Sequence, residues 1–210
     1  MILVVLFFVF VVMQTIRSMN RLNSKGAPET RAKRTNPQLE TALAYAARLY
    51  AEHKYLASEK AYLEVIKIDH KNLSAYNHLG KIYLALKNYL DAIECYQIAA
   101  QLHPSAQAHF NTGMAFYENK NFAKAAAAFE RAITFEPSSN RYLGLGRAYQ
   151  RLNNLSKAIA AYEKALALDD NPQIRRLLVE AYRANNQSDK AAEAEQAKAP
   201  NSSIAESAST

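Results

Sequence analysis

A reactive centre in this chain would have to be assembled from five histidines, one cysteine and one aspartate pair. His53, His70, His78, His103 and His109 are not at metal-ligand spacing. No H-E-x-x-H segment is present, the pattern that sets two imidazoles and a base on one helix face. Cys95 is the only cysteine, so neither an internal disulfide nor a thiolate cage can form. It falls in a helical stretch, where packing is its expected role and a partly outward orientation is expected. Asp169–Asp170 stands at a helix end. Gly144 and Gly146 imitate part of a dinucleotide-binding turn, but no strand leads into them. There is no P-loop and no nucleophile elbow. No catalytic residue, cofactor or metal is expected, and the chain reads as a non-enzyme.

What the sequence does carry is a period. YNHLGKIY from Tyr76, HFNTGMAF from His109 and YLGLGRAY from Tyr142 align with one another. So do the segments after them, KNYLDAIECYQIAAQLHP, KNFAKAAAAFERAITFEP and NNLSKAIAAYEKALALDD. Gly80, Gly113 and Gly146 are 33 apart, as are Tyr83, Phe116 and Tyr149; Ala92, Ala125 and Ala158; Tyr96, Phe129 and Tyr162; and Ala99, Ala132 and Ala165. The apolar positions recur at helical spacing, which gives two amphipathic helices per unit. Gly and Ala are small enough for paired helices to approach closely, and the aromatic residues are expected to fill the space between successive pairs. Lys87–Asn88, Lys120–Asn121, Asn153–Asn154 and Asn185–Asn186 fall between helices, where Asn tolerates the left-handed conformation that ends a helix. Pro104 and Pro137 separate one pair from the next.

These columns resemble the tetratricopeptide repeat family, whose pattern is aromatic, Leu-Gly, Tyr, Ala, aromatic, Ala, Pro. Full matches cover 73–105, 106–138 and 139–171. Residues 39–72 fit with Ala46, Ser58 and His70 in place of Gly, Ala and Pro, and 172–198 fit partially, with Val179 in place of Gly. Degenerate end repeats suit a solenoid, whose terminal units face water. The resemblance implies an all-α, right-handed superhelical solenoid of about five antiparallel helix pairs over residues 38–198.

The resemblance also implies a groove lined by the first helix of each pair. Carried over column by column, its lining is Asn77, Lys81, Leu84, Phe110, Asn111, Met114 and Tyr117, followed by Arg147, Gln150, Arg151, Arg176 and Arg183. Phe110, Met114 and Tyr117 have a four-then-three spacing and share one helix face. Two readings stand for them: an anchor pocket for a peptide or helix, or core between repeats. The arginines fit an acidic segment of a partner, or form a solvated face balanced by Glu163 and Glu180. One subclass of the family grips a free C-terminal carboxylate with Lys, Asn and Arg side chains. Asn77, Lys81 and Asn111 resemble part of that clamp, whereas Asn140 and Gly144 stand where its last basic residues belong.

The formal charge is +7, and +5 of it lies in residues 1–37, from Arg17, Arg21, Lys25, Arg31, Lys33 and Arg34 against Glu29. The repeat region is therefore nearly neutral, and nucleic acid is not an expected partner. Residues 1–13 are unbroken apolar, and the stretch through residue 16 spans roughly 24 Å as a helix. A hydrocarbon core of ~30 Å prefers ~20 residues, a deficit that snorkelling and local thinning accommodate. The basic flank on the C-terminal side places the remainder of the chain in the cytoplasm. Residues 1–16 are thus expected to be a single transmembrane anchor; an exported chain with a cleaved signal, or a start at Met13 or Met19, are the alternatives. Residues 17–37 read as a basic flexible linker and 199–210 as a disordered tail. The expectation is a membrane-tethered interaction scaffold that binds a protein partner and aids assembly or localisation of a membrane complex. The alternative is a soluble or exported self-associating structural protein. The oligomeric state is not fixed by the sequence.

Overall fold

The computed structural model describes residues 36–197. The expected anchor at 1–16, nearly all of the linker at 17–37 and the tail at 199–210 lie outside them. Backbone proximity divides the chain into residues 1–40 and 41–210. Of the first part only residues 36–40 are described, where α1 begins, and the helix packing is that of the second.

Ten α-helices, joined by short connections, make up the described residues. They are α1 (Pro37–Ala51), α2 (Tyr55–Ile68), α3 (Leu73–Ala85), α4 (Tyr89–Leu102), α5 (Ala106–Glu118), α6 (Phe122–Phe135), α7 (Ser139–Arg151), α8 (Leu155–Leu168), α9 (Pro172–Ala184) and α10 (Ser188–Gln196). From α3 onward each helix packs on its sequence neighbours, which makes an all-α solenoid of helix pairs. No described helix is long and apolar enough to cross a membrane.

The sequence sets several helix starts chemically. Asn72, Ser105, Asn121 and Asn154 accept through their side chains from the backbone N–H three residues on, at 3.0–3.2 Å. Asn171 does so two residues on, ahead of Pro172 in the first turn. These caps satisfy amide groups that have no partner within the helix. Within α6, Ala125, Ala128, Phe129 and Ala132 are buried and recur at helical spacing, so one face meets the core. The helix ends at Phe135, two residues before Pro137.

The turns within pairs depart from expectation. The left-handed residues are His53, Lys87, Lys120, Asn153 and Asn186, with φ of 56–60°. In two of these turns a lysine therefore holds the conformation expected of asparagine. Asn88, Asn121 and Asn154 are instead the N-caps of α4, α6 and α8.

The aromatic column does more than the expected filling between pairs. A Cβ added to Gly80 would lie 2.6 Å from the ring of Tyr96, one on Gly113 2.7 Å from Phe129, and one on Gly146 2.4 Å from Tyr162. Each ring thus lies inside its own helix pair, close against the glycine, and not only between pairs. Ser58, where the repeat pattern has Ala, is buried and donates to the Ala46 carbonyl at 2.9 Å. That bond satisfies a hydroxyl that would otherwise be costly to bury and joins α2 to α1. Cys95 is buried rather than partly outward, and burial together with Glu94 and Asp91 pushes its thiol up to about 12.

Candidate functional site

The three-residue apolar stripe of α5 is both core and pocket. Phe110, Met114 and Tyr117 are half-buried and pack on the central core cluster. The Phe110 ring meets Phe129 at 5.5 Å between centroids. Their outer faces line a cavity of about 190 Å³, closed on the other side by Leu143, Gly144 and Arg147 of α7. Phe129 is the floor. It can be reached because Gly144 has no side chain: a Cβ there would stand 3.0 Å from the ring. Glu118 and Asn140 complete the rim.

Arg147 is the cation of this pocket and makes no ion pair among the described residues. One turn on, Arg151 lies over the Phe122 ring at 4.6 Å, and that ring meets Tyr117 at 5.3 Å. Gln150 is held within its pair, accepting from Tyr162 Oη at 2.7 Å. Arg147 and Arg151 therefore belong with the α5 stripe rather than with the later arginines, while Gln150 is tied to α8.

Asn77 and Lys81 of α3 and Asn111 of α5 share a more polar cleft with Ser74, His78 and Gln107. There Asn111 accepts from Gln107 Nε2 at 2.7 Å, and the His78 ring stacks on Tyr62 at 4.9 Å. Leu84 packs on the core as a half-buried side chain. Clefts between α3 and α5 and between α5 and α7 thus succeed one another along the first helices of successive pairs.

Arg176 and Arg183 lie apart from these, in a cleft with Arg175, Val179, Glu180 and Glu195. Arg183 pairs with Glu195 at 2.6 Å, and Arg175 pairs with Asp170. The glutamate that balances Arg183 is therefore Glu195, while Glu163 accepts from Tyr182. Arg176 makes no ion pair among the described residues.

Leu143, Glu118 and Phe129 line the pocket outside the expected set, and Gly144, expected only as a departure from the carboxylate clamp, lines it too. The glycine was visible, but only the stacking of one pair on the next aims it at the ring of Phe129. Among the described residues, no group of three or more His, Cys, Asp and Glu side chains could hold a metal ion.

One tetratricopeptide repeat model matches residues 43–106 and again 77–140, and a second matches 140–172. The chain belongs to the tetratricopeptide repeat family. Its repeats are similar to those in the crystal structure of MamA protein, at 25% identity and a TM-score of 0.71, over 75% of this chain and 87% of that one. Two further structures share the fold. MamA 41-end from Desulfovibrio magneticus RS-1 is 19% identical at a TM-score of 0.72, over 76% of this chain and 92% of that one. YrrB, described as a TPR protein with an unusual peptide-binding site, is 15% identical at a TM-score of 0.64, over 73% of this chain and 80% of that one. No curated protein matches significantly. A repeat array of this family is a protein–protein interaction scaffold.

Proposed function

We propose that this chain is a membrane-tethered scaffold whose repeats take a peptide or helix of a partner protein along the clefts of α3, α5 and α7. The observation that carries this reading is the 190 Å³ pocket over Phe129, with apolar walls and the unpaired Arg147 at its edge. It suits an apolar side chain followed by a carboxylate, one buried for area and the other for charge. The polar cleft of Asn77, Lys81 and Asn111 extends the surface with amide groups that suit a peptide main chain. Arg176 offers a further contact for an acidic segment.

The tether rests on residues 1–16 and their basic flank, which orient the repeats to the cytoplasm. In that setting the scaffold gathers a partner at the membrane and aids assembly or localisation of a membrane complex.

The test is a crosslinked pull-down from intact membranes, with the wild type beside a chain lacking residues 1–16. Partners that require the anchor support the whole proposal. The same partners without it leave the scaffold and remove the tether. A chain that captures only its own copies, with light scattering showing a closed oligomer, replaces the proposal with a self-associating structural protein.

A further inference from the structure

Three seams between successive helix pairs are tied by one device. Tyr83 on α3 donates to Glu59 on α2 at 3.0 Å, Tyr182 on α9 donates to Glu163 on α8 at 2.5 Å, and Tyr149 on α7 donates to Glu130 on α6. The seam between α4 and α5 lacks the tie. Counting 33 residues back from Tyr149 and Glu130 gives Phe116 and Gln97, which have neither hydroxyl nor carboxylate.

An open cleft of about 430 Å³ occupies this seam, between α4, α5 and α6. Ala100 and Thr112 line it where the next repeat has the larger Ile133 and Leu145. Lys124 and Arg131 stand on its α6 wall, and Gln97 and Gln101 one turn apart on its α4 wall. No carboxylate lines it, and neither Lys124 nor Arg131 has an ion pair among the described residues. Lys124 lies 5.6 Å over the Phe116 ring. Its counterpart one repeat on, Lys157, lies 5.1 Å over Tyr149, whose hydroxyl already holds Glu130. The cleft therefore keeps the cations of the repeat while having lost the internal anion. At ~100° per residue, its His109, Thr112 and Phe116 lie on a different face of α5 from Phe110, Met114 and Tyr117, roughly 130° around the helix axis.

We infer that this cleft is a second docking surface, for an acidic segment of a protein partner whose Asp or Glu side chain is held by Lys124 and Arg131. The guest carboxylate takes the charge role that Glu130 and Glu163 fill elsewhere within the chain. The alanine-lined floor lets an extended main chain lie close, and the Gln97 and Gln101 amides are placed to hydrogen-bond it. An acidic peptide fits better than a nucleic acid, because two cations flanked by amides and methyl groups do not track a phosphate backbone. The surface is separate from the pocket over Phe129 and stands without it.

The experiment is a fluorescence-anisotropy titration of the full chain with a fluorescein-labelled dodecapeptide alternating Glu and Ala, at low salt. Lys124→Glu with Arg131→Glu should weaken binding at least about ten-fold, a loss of ~1.4 kcal/mol. Lys157→Glu with Lys164→Glu, the same reversal one repeat on, should change it much less. Gln97→Glu leaves both cations but supplies the anion from within, and should also weaken binding. If the reversed pair proves poorly folded by circular dichroism, Gln97→Glu and Lys124→Gln carry the test. Absence of binding overturns the inference. So does equal loss from the two reversals, which would mark general attraction to a basic chain. A uridine oligonucleotide that binds more tightly through the same two cations would assign the cleft to RNA instead.

Discussion

The ring of Phe129 lies between two glycines, Gly113 of its own helix pair and Gly144 of the next, so that a Cβ on either would approach it to 2.7 or 3.0 Å. One buried side chain thus sets how closely α5 meets α6 and how closely α7 packs behind them. Alanine is worth ~1 kcal/mol more than glycine within a helix, yet the ring is fully buried and has little room to move. Overpacking of this kind costs ~1–3 kcal/mol or more. Gly113→Leu should lower the melting temperature by several degrees, and Gly113→Ala by less, as read by circular dichroism. An unchanged transition in Gly113→Leu would mean that the pair is not packed through this glycine.

The helix pairs were legible because their signals are local. Glycine, alanine and aromatic columns at a fixed period, with Pro104 and Pro137 as punctuation, name helices and turns residue by residue. What was not legible depends on how one pair sits on the next. Nothing in the spacing says that Phe129 is shared by Gly113 and Gly144, or that Arg147 closes a pocket begun by Phe110. Nor does it say that Arg176 and Arg183 stand apart from Arg147 and Arg151. The turn residues were misread for a different reason. Lys–Asn dipeptides offer two residues for one left-handed site, and the N-cap position takes the asparagine: the Asn121 side chain accepts from the Lys124 amide of the next helix, and that of Asn88 donates to Asp91 in its first turn. At Asn153–Asn154 both demands are met by the same residue type, which hid the rule.

That rule makes a prediction at Lys120, whose φ is 59°. A residue with a Cβ pays ~1–2 kcal/mol in this region, and glycine does not. Part of the gain is lost because glycine makes the unfolded chain freer. Lys120→Gly should therefore stabilise the protein by ~0.5–1 kcal/mol, measured by urea denaturation. Asn153→Gly, at φ 58°, should gain less, because asparagine already tolerates the conformation. A loss of stability in Lys120→Gly would show that the lysine side chain makes a contact worth more than the strain.

High pH should open the array through its tyrosines. Burial, then the hydrogen bond to Glu130, raises Tyr149 from 10.0 to about 12, and burial with the bond to Glu163 raises Tyr182 to about 12. Tyr62 is raised to about 12 by burial. A folded pKa above the unfolded value means that the unfolded chain loses its proton first. The stability from these groups is whole below pH 10 and drains as pH rises towards 12. Urea midpoints should hold up to about pH 9 and fall steeply beyond it. Tyr149→Phe with Tyr182→Phe should start lower, having lost two hydrogen bonds, and fall less steeply. Parallel curves for the two proteins would place the alkaline sensitivity elsewhere.

The pocket over Phe129 makes the functional prediction, and its double nature decides how it must be tested. Phe110→Ala with Tyr117→Ala removes pocket wall but also core, since Phe110 packs on Phe129 and Tyr117 on Phe122. The double variant should keep its helicity at low temperature, melt several degrees earlier and bind the captured partner weakly. Arg147→Ala separates the two effects. It is half-buried at the pocket edge with no ion pair among the described residues. Its removal should leave the melting temperature within a degree or two while cutting affinity about ten-fold or more, the cost of losing a charged contact to a partner carboxylate. If Arg147→Ala binds as the wild type does and only the destabilised double variant fails, the stripe on α5 is core alone. The partner must then be sought on another face of the array.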